Sequence, residues 1–185
     1  MSIAKSIAKR IQRMPKGQPF LGSSLAKYGT RALVNKTLSR LVKAGTLERV
    51  VRGIYMRPKE SQYVGCVCAS ALTVMKLMTK ANGETVQIHG AEAVRSMGLS
   101  TQMQILPIYH TSGSTRRIRI GNTTIRLQHA SNDRLQHAKS KVGVALTALH
   151  YLGKEALSLE IISRIQKALT RDEFKTLRRA GCRVG

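Results

Sequence analysis

The first segment of the chain has apolar residues at helical spacing, with Lys5, Lys9, Arg10 and Arg13 at positions between them. The apolar positions are Ile3, Ile7, Ile11 and Met14. This period is typical of an amphipathic helix that buries one face, and Pro15 and Gly17 end it. We therefore expect Ile7 and Ile11 to lie in the core of a small domain.

Two more helices are expected around a tight turn. The first runs from about Ser23 to Tyr28, with Ser23 or Ser24 as its N-cap, and Gly29 follows it. Thr30 suits the N-cap of a third helix over residues 31–44. The apolar face of that helix consists of Val34, Leu38, Leu41 and Val42. Helix, short turn and helix are the arrangement of a helix-turn-helix, whose second helix enters the DNA major groove.

Two short β-prone segments complete this first unit. Residues 46–51 and 54–56 are joined by Arg52-Gly53, where glycine supplies the positive φ of a tight turn. Three helices followed by a β-hairpin are the order of a winged helix. A polar, proline-containing stretch follows, so we place a winged-helix DNA-binding domain over residues 1–59 and a second domain over residues 60–185.

The exposed face of the third helix and the hairpin carry residue types suited to DNA. Lysine and arginine contact phosphates, whereas asparagine, serine, threonine and arginine read base edges. Asn35 suits adenine, Arg31 or Arg40 suits guanine, and Lys36 or Lys43 suits a phosphate. The predicted DNA-binding residues are Thr30, Arg31, Asn35, Lys36, Ser39, Arg40, Lys43, Arg49, Arg52 and Arg57. A merely solvated helix face is the alternative, and the absence of acids before Glu48 favours DNA.

The residue pattern of the second domain predicts a mixed α/β unit, so the whole chain is expected to be α+β. Helices are predicted over residues 66–81, 91–97, 134–152, 156–169 and 171–180, and strands over 85–89 and 103–109. Thr170 and Glu173 have the spacing of a capping box for the last helix. Between these elements, isoleucine and arginine alternate on either side of Gly121-Asn122, which predicts a β-hairpin with one packed and one basic face.

The basic face of this hairpin is a second candidate surface, for nucleic acid or for antagonism of a toxin. Its residues are Arg116, Arg117, Arg119 and Arg126. Three interpretations of this face stay open. It adds contacts to DNA, it binds structured RNA or nucleotide phosphates, or it is simply a solvated arginine face. The chain has no Trp, two Phe and five Tyr, and this scarcity of aromatic residues argues against recognition of single-stranded RNA by base stacking.

Charge narrows the class of partner. The 185 residues include 32 Lys and Arg against 9 Asp and Glu, a formal net charge of +23. Residues 1–59 hold 14 of these cations and one acid, residues 60–115 are neutral, and residues 116–185 again carry an excess of cations. Nucleic acid is therefore the leading partner, and an anionic membrane surface is second. The most apolar run, residues 64–78, is too short and too polar to span a bilayer, and the first segment lacks the apolar stretch of a secretory signal.

Motifs of enzyme chemistry are missing from the sequence. We find no phosphate loop of the Walker type, no dinucleotide-binding glycine pattern and no zinc-protease motif. Cys66 and Cys68 form C-x-C rather than a C-x-x-C metal pair, and are expected to be buried in the apolar helix over residues 66–81. The five histidines have no ligand spacing, and an odd number of cysteines suits a reducing cytoplasm. We expect no enzyme activity, no cofactor and no metal.

Several blocks of the sequence resemble the AbiEi-type antitoxin family of type IV toxin–antitoxin systems. The blocks are GTRALVNKTLSRLVKAGTLERVVRGIYMRP, VQIHGAEAVRSMGLSTQM, YHTSGSTRRIRIGNTTIRLQHAS and ALTALHYLG. The resemblance implies a bacterial, cytoplasmic winged-helix autorepressor, bound to the nucleoid when on its operator. It also implies a second domain that antagonises a cognate nucleotidyltransferase-like toxin, usually without forming a stable complex with it.

The partners expected from these arguments are operator DNA and that toxin, with no membrane. One winged helix reads only a few base pairs, so inverted repeats are expected, bound by a monomer or weak dimer that pairs on DNA. A basic protein that binds structured RNA or the ribosome is the alternative from another class. A solitary regulator without a toxin, and a protein held on a membrane surface by its first helix, are further alternatives.

Overall fold

The computed structural model describes residues 2–62 and 65–181 and is a mixed α+β protein, which confirms the predicted class. The chain divides into two compact units, residues 1–81 with 119–123 and residues 82–118 with 124–185. The predicted domain boundary after residue 59 concerns which parts of the chain fold independently, and it stays a prediction. No helix in the described part of the chain is long and apolar enough to cross a membrane.

Unit 1 alternates helices with a small antiparallel sheet. Its elements are α1 (Ile3–Gln12), β1 (Pro19–Leu21), a 3₁₀ helix (Gly22–Tyr28), α2 (Arg31–Lys43), β2 (Glu48–Val51), β3 (Ile54–Met56), β4 (Glu60–Ser61), β5 (Gly65–Cys66) and α3 (Ala71–Ala81). Strands β1, β3 and β2 form one sheet in that order, with both pairs antiparallel. Strand β1 was absent from the sequence prediction, since three residues give too little alternation to detect.

The core of unit 1 forms where the predicted apolar faces meet. Ile7 and Ile11 of α1 are completely buried, as predicted, and pack in one cluster with Val34, Leu38 and Tyr55. The third helix begins as predicted, because the Thr30 hydroxyl accepts a hydrogen bond from the Leu33 amide. The predicted serine cap of the short helix is wrong. The Ser24 hydroxyl donates to the Leu21 carbonyl, and the segment is a 3₁₀ helix without a side-chain cap.

The predicted helix over residues 66–81 is wrong in its first five residues. Cys66 lies in β5 opposite Glu60, and helix α3 begins only at Ala71. The amide of Val67, between the two cysteines, donates to the Lys59 carbonyl, so this backbone is held in an extended hairpin. Cys66 and Cys68 are consequently exposed rather than buried.

Unit 2 is built on a four-stranded sheet. Its elements are β6 (Val86–Ile88), α4 (Gly90–Ser96), β7 (Ile108–Thr111), β8 (Arg116–Ile120), β9 (Thr123–His129), a 3₁₀ helix (Asn132–Leu135), α5 (Lys141–Leu152), α6 (Leu159–Ala168) and α7 (Arg171–Gly181). The strand order is β6-β7-β9-β8, with β6 and β7 antiparallel and β7 and β9 parallel. The apolar face of the predicted hairpin is buried, as shown by Ile118, Ile125 and Leu127.

Three boundaries in unit 2 differ from prediction. Strand β7 begins at Ile108 rather than Met103, and Met103 is exposed. Helix α5 begins at Lys141, because His137 and Lys139 have positive φ values of 52° and 70° that interrupt a helix. Helix α6 begins at Leu159 behind a Ser158 cap. The predicted capping box of α7 is confirmed, since Thr170 and Glu173 exchange side-chain-to-amide hydrogen bonds.

Candidate nucleic-acid interface

Helix α2 and its cap expose seven of the ten predicted DNA-binding residues. Val34 and Leu38 face the core, and the charged residues of the helix lie on its exposed positions. The exposed predicted residues of this helix and its cap are Thr30, Arg31, Asn35, Lys36, Ser39, Arg40 and Lys43. The Thr30 side chain is engaged in capping, so its contribution to an interface is to hold the first turn of α2.

No ion pair in the described part of the chain involves a cation of α2. The ion pairs in the described ranges are Arg95–Glu92, Arg116–Glu84, Arg164–Glu160 and Lys175–Asp172, and all lie in unit 2. Glu48 is the single acid among residues 1–59. This surface of unit 1 therefore retains its positive charge, which is the electrostatic requirement for attracting a phosphate backbone.

The hairpin that follows α2 adds two exposed arginines. Gly53 has φ +83° between β2 and β3, a conformation that favours glycine. Arg49 and Arg52 are exposed on this hairpin. Both are free to reach a phosphate or a minor groove.

Arg57 is placed differently from the other predicted DNA-binding residues. Its Nη1 donates to the Gln12 and Met14 carbonyl oxygens, both at 2.7 Å, and the side chain is half-buried. Carbonyl groups at the end of a helix lack intrahelical partners, and arginine commonly satisfies them. Arg57 thus ties β3 to the end of α1 and is a structural residue of unit 1.

We predict that Arg57→Leu lowers the free energy of unfolding of unit 1 by about 2 kcal/mol, because it removes two charged hydrogen bonds to backbone. Arg52→Leu removes the same charge from an exposed site and is the matched control, with almost no change in stability expected. Thermal unfolding followed by circular dichroism measures both. Equal stability of the two variants would refute the structural role of Arg57.

The four predicted hairpin arginines do not form one free surface. Arg117 and Arg119 are exposed. Arg116 forms an ion pair with Glu84 at 2.7 Å, and Glu84 is only 10% exposed. Burial raises the pKa of Glu84, but hydrogen bonds from Arg116, Asn82 and Thr111 outweigh it and lower the pKa overall. The alternation in the sequence could have indicated this ion pair. Arg116 lies on the same side of β8 as Ile118, which is buried, and an arginine on that side needs a partner.

Unit 2 also contains a polar cluster that the sequence analysis missed. The His89 and His110 rings lie 5.0 Å apart between centroids, and Tyr151 meets His89 edge-on at 5.7 Å. Gln104 Nε2 is 3.2 Å from His89 Nδ1. Gln87 lies directly opposite His110 in the pairing of β6 and β7. These residues are distant in sequence, and only the strand register brings them together.

Burial controls the charge state of the two histidines. Desolvation, together with the charges of His89 and Arg134, lowers the pKa of His110 to about 4. Desolvation, followed by the charge of Arg126, also lowers the pKa of His89. Both rings are therefore neutral near pH 7. No group of three or more His, Cys, Asp or Glu side chains in the described segments is arranged to hold a metal ion.

Comparison with known proteins identifies a family but not an activity. A family model described as a family of unknown function (DUF6088) matches residues 6–177. No curated protein matches the chain.

Proposed function

The chain belongs to the DUF6088 family of unknown function, and we propose that it is a sequence-specific DNA-binding transcriptional autorepressor whose unit 1 is a winged helix-turn-helix. The single observation that carries the proposal is the exposed, unpaired cationic face of α2. A helix with this face is suited to a major groove, where arginine and asparagine discriminate between bases.

The order of elements around α2 supports the winged-helix part of the proposal. The 3₁₀ helix (Gly22–Tyr28) leads through Gly29 and Thr30 into α2, and the β2–β3 hairpin follows directly. Strand β1 pairs with β3 and closes the sheet against the helices. In this arrangement α2 is the recognition helix and the β2–β3 hairpin is the wing, with Arg49 and Arg52 on phosphates or in the minor groove.

The proposed roles within α2 follow from side-chain chemistry. Asn35 pairs with an adenine edge, and Arg31 or Arg40 pairs with guanine. Lys36 and Lys43 contact phosphates and fix the register. One such helix reads a short site, so two copies of the chain are expected on an inverted repeat.

The antitoxin part of the proposal rests on the resemblance to the AbiEi-type family. In it, the second domain predicted over residues 60–185 antagonises a nucleotidyltransferase-like toxin, and the exposed Arg117 and Arg119 are the hairpin residues available for this. Rescue of growth when the chain is co-expressed with a neighbouring gene of that type measures this activity separately from DNA binding.

The test of the DNA-binding proposal is a mobility-shift titration on DNA from upstream of the protein's own gene, with random-sequence competitor. We expect a discrete complex that survives competitor, because specific sites typically bind at least about 10³-fold more tightly than random DNA. Asn35→Ala combined with Arg40→Ala should weaken this complex by about tenfold or more, since a good base contact contributes about 1–3 kcal/mol.

A matched control removes the same charge elsewhere. Arg178→Ala changes an exposed arginine of α7, and the complex should keep its affinity. Equal binding to all DNA that disappears at moderate salt would mean generic phosphate affinity and would reject the proposal. Tighter binding to structured RNA than to this DNA would favour the alternative class instead.

A further inference from the structure

Two buried polar side chains of unit 2 each have one nitrogen atom without a hydrogen-bond partner among the described residues. Gln87 is 4% exposed and His110 is 8% exposed, and they occupy directly opposed positions on β6 and β7. The unpaired atoms are Gln87 Nε2 and His110 Nδ1. Buried polar atoms are nearly always hydrogen-bonded in native proteins, so two adjacent exceptions call for a ligand that satisfies both.

The Gln87 amide lies against the first turn of α5. A Cβ atom built on Gly143 would be 2.6 Å from Gln87 Nε2 and would overlap the His137 carbonyl. Gly143 is therefore required for this close approach. The N-terminus of α5 carries the partial positive charge of the helix dipole, and it begins behind the Ser140 cap. The unpaired donor of Gln87 thus lies at an electropositive helix end.

The charges that act on the cluster are positive. Arg126 acts on His89, and Arg134 acts on His110. The acid of the neighbouring helix, Glu92, is paired with Arg95. A site with two unpaired donors and the charges of two arginines suits an anion, particularly one with several acceptor oxygens.

The outer side of the cluster is formed by side chains that are less buried. His89 is half-buried and Tyr151 is 55% exposed. Tyr151 packs so closely on Gly90 that a Cβ there would overlap its ring. Gln104 reaches His89 from the segment before β7, which has no regular secondary structure. Tyr151 and Gln104 therefore contact the less buried histidine of the cluster, and an exposed side chain such as Tyr151 can change rotamer to admit a small molecule.

We propose that this cluster is a binding site for a small phosphate-bearing molecule. Gln87 Nε2 and the His110 ring N–H donate to its oxygens, and Arg126 and Arg134 supply the charge. The side chains of Tyr151 and Gln104, which both contact His89, border the site. A free phosphate or a nucleotide phosphate is favoured over a backbone phosphate of DNA, because both donors are more than nine-tenths buried and a polymer cannot enter. Unit 2 is then the part of the protein that senses a small anionic molecule.

The experiment is a titration of the full chain with inorganic phosphate, followed through the histidine ring signals in nuclear magnetic resonance spectra. Saturable shifts of the His89 and His110 signals are expected, with a dissociation constant of about 1 mM or tighter. Gln87→Met and Arg126→Gln should each weaken binding by about tenfold, as expected for loss of one charged hydrogen bond. Arg117→Gln removes an exposed arginine of the same hairpin and should bind normally.

Circular dichroism establishes that each variant is folded, and if Gln87→Met does not fold then Arg126→Gln decides the result. Absence of saturation, or equal weakening by Arg117→Gln, would overturn the proposal. Shifts of the same histidine signals by a DNA duplex but not by phosphate would also overturn it and assign the site to backbone phosphate. The titration with phosphate contains no DNA. A negative result in it therefore leaves the repressor proposal unaffected.

Discussion

Ile7→Asp is expected to unfold unit 1. Ile7 is 0% exposed and packs in the same cluster as Val34, Leu38 and Tyr55. Truncating such a residue costs about 2–5 kcal/mol through lost burial and a cavity, and placing an unpaired carboxyl group there adds a desolvation penalty. The sum approaches the whole stability of a small domain, about 5–15 kcal/mol. Loss of its unfolding transition in circular dichroism, with loss of DNA binding, is the expected result.

Ile3→Asp is the matched control on the same helix. Ile3 lies on the predicted stripe but is 40% exposed, and an acid in the first turn of a helix interacts favourably with its dipole. We expect a native-like transition with a small change in midpoint. An unchanged transition in Ile7→Asp would show that α1 is not part of the core. That result would instead favour a first helix that lies on a membrane surface.

Most of residues 1–56 of unit 1 could be predicted because the signals there are local, whereas β4, β5 and the late start of α3 could not. The spacing of Ile7 and Ile11, the Thr30 cap and Gly53 each define an element within a few residues. These elements form where expected. Strand β1 could not be predicted, because its three residues are specified by pairing with β3 rather than by their own pattern.

Unit 2 was harder to predict because contacts distant in sequence override local preference there. The apolar run at residues 103–107 resembles a strand, yet Met103 and Ile105 are exposed and pairing begins at Ile108. The helix predicted from residue 134 is displaced to Lys141 by two residues with positive φ. Lysine rarely adopts such a conformation, and histidine, although enriched there, adopts it too seldom for the sequence alone to indicate it.

The candidate sites also differ in whether local sequence or distant contacts determine them. The exposed face of α2 follows from helical period alone, so its cations could be named directly. The partners of Arg57 and Arg116 could not, because each is fixed by residues more than 30 positions away in sequence. The cluster of Gln87 and His110 likewise depends on the antiparallel register of β6 and β7, which no local pattern specifies.

Acidification from pH 6.5 to 4 is expected to destabilise unit 2 through His110. Burial, with the charges of His89 and Arg134, lowers the native pKa of His110 to about 4, whereas an unfolded histidine titrates near 6.5. The unfolded chain therefore binds the proton first, and the stability that neutral His110 contributes is complete above pH 6.5. It is lost as the pH falls towards 4, by up to about 3 kcal/mol in phosphate-free buffer.

Urea unfolding at a series of pH values, followed by far-ultraviolet circular dichroism, measures this loss. His110→Gln removes the more strongly shifted of the two histidines and should make the dependence between pH 6.5 and 4.5 shallower, and His89, whose pKa is also lowered, retains the rest. His150→Gln changes an exposed histidine of α5 and should behave as the unsubstituted chain. An equally steep loss in His110→Gln would show that the His110 ring is not held neutral by its surroundings, and the donor geometry inferred for the phosphate site would lose its basis.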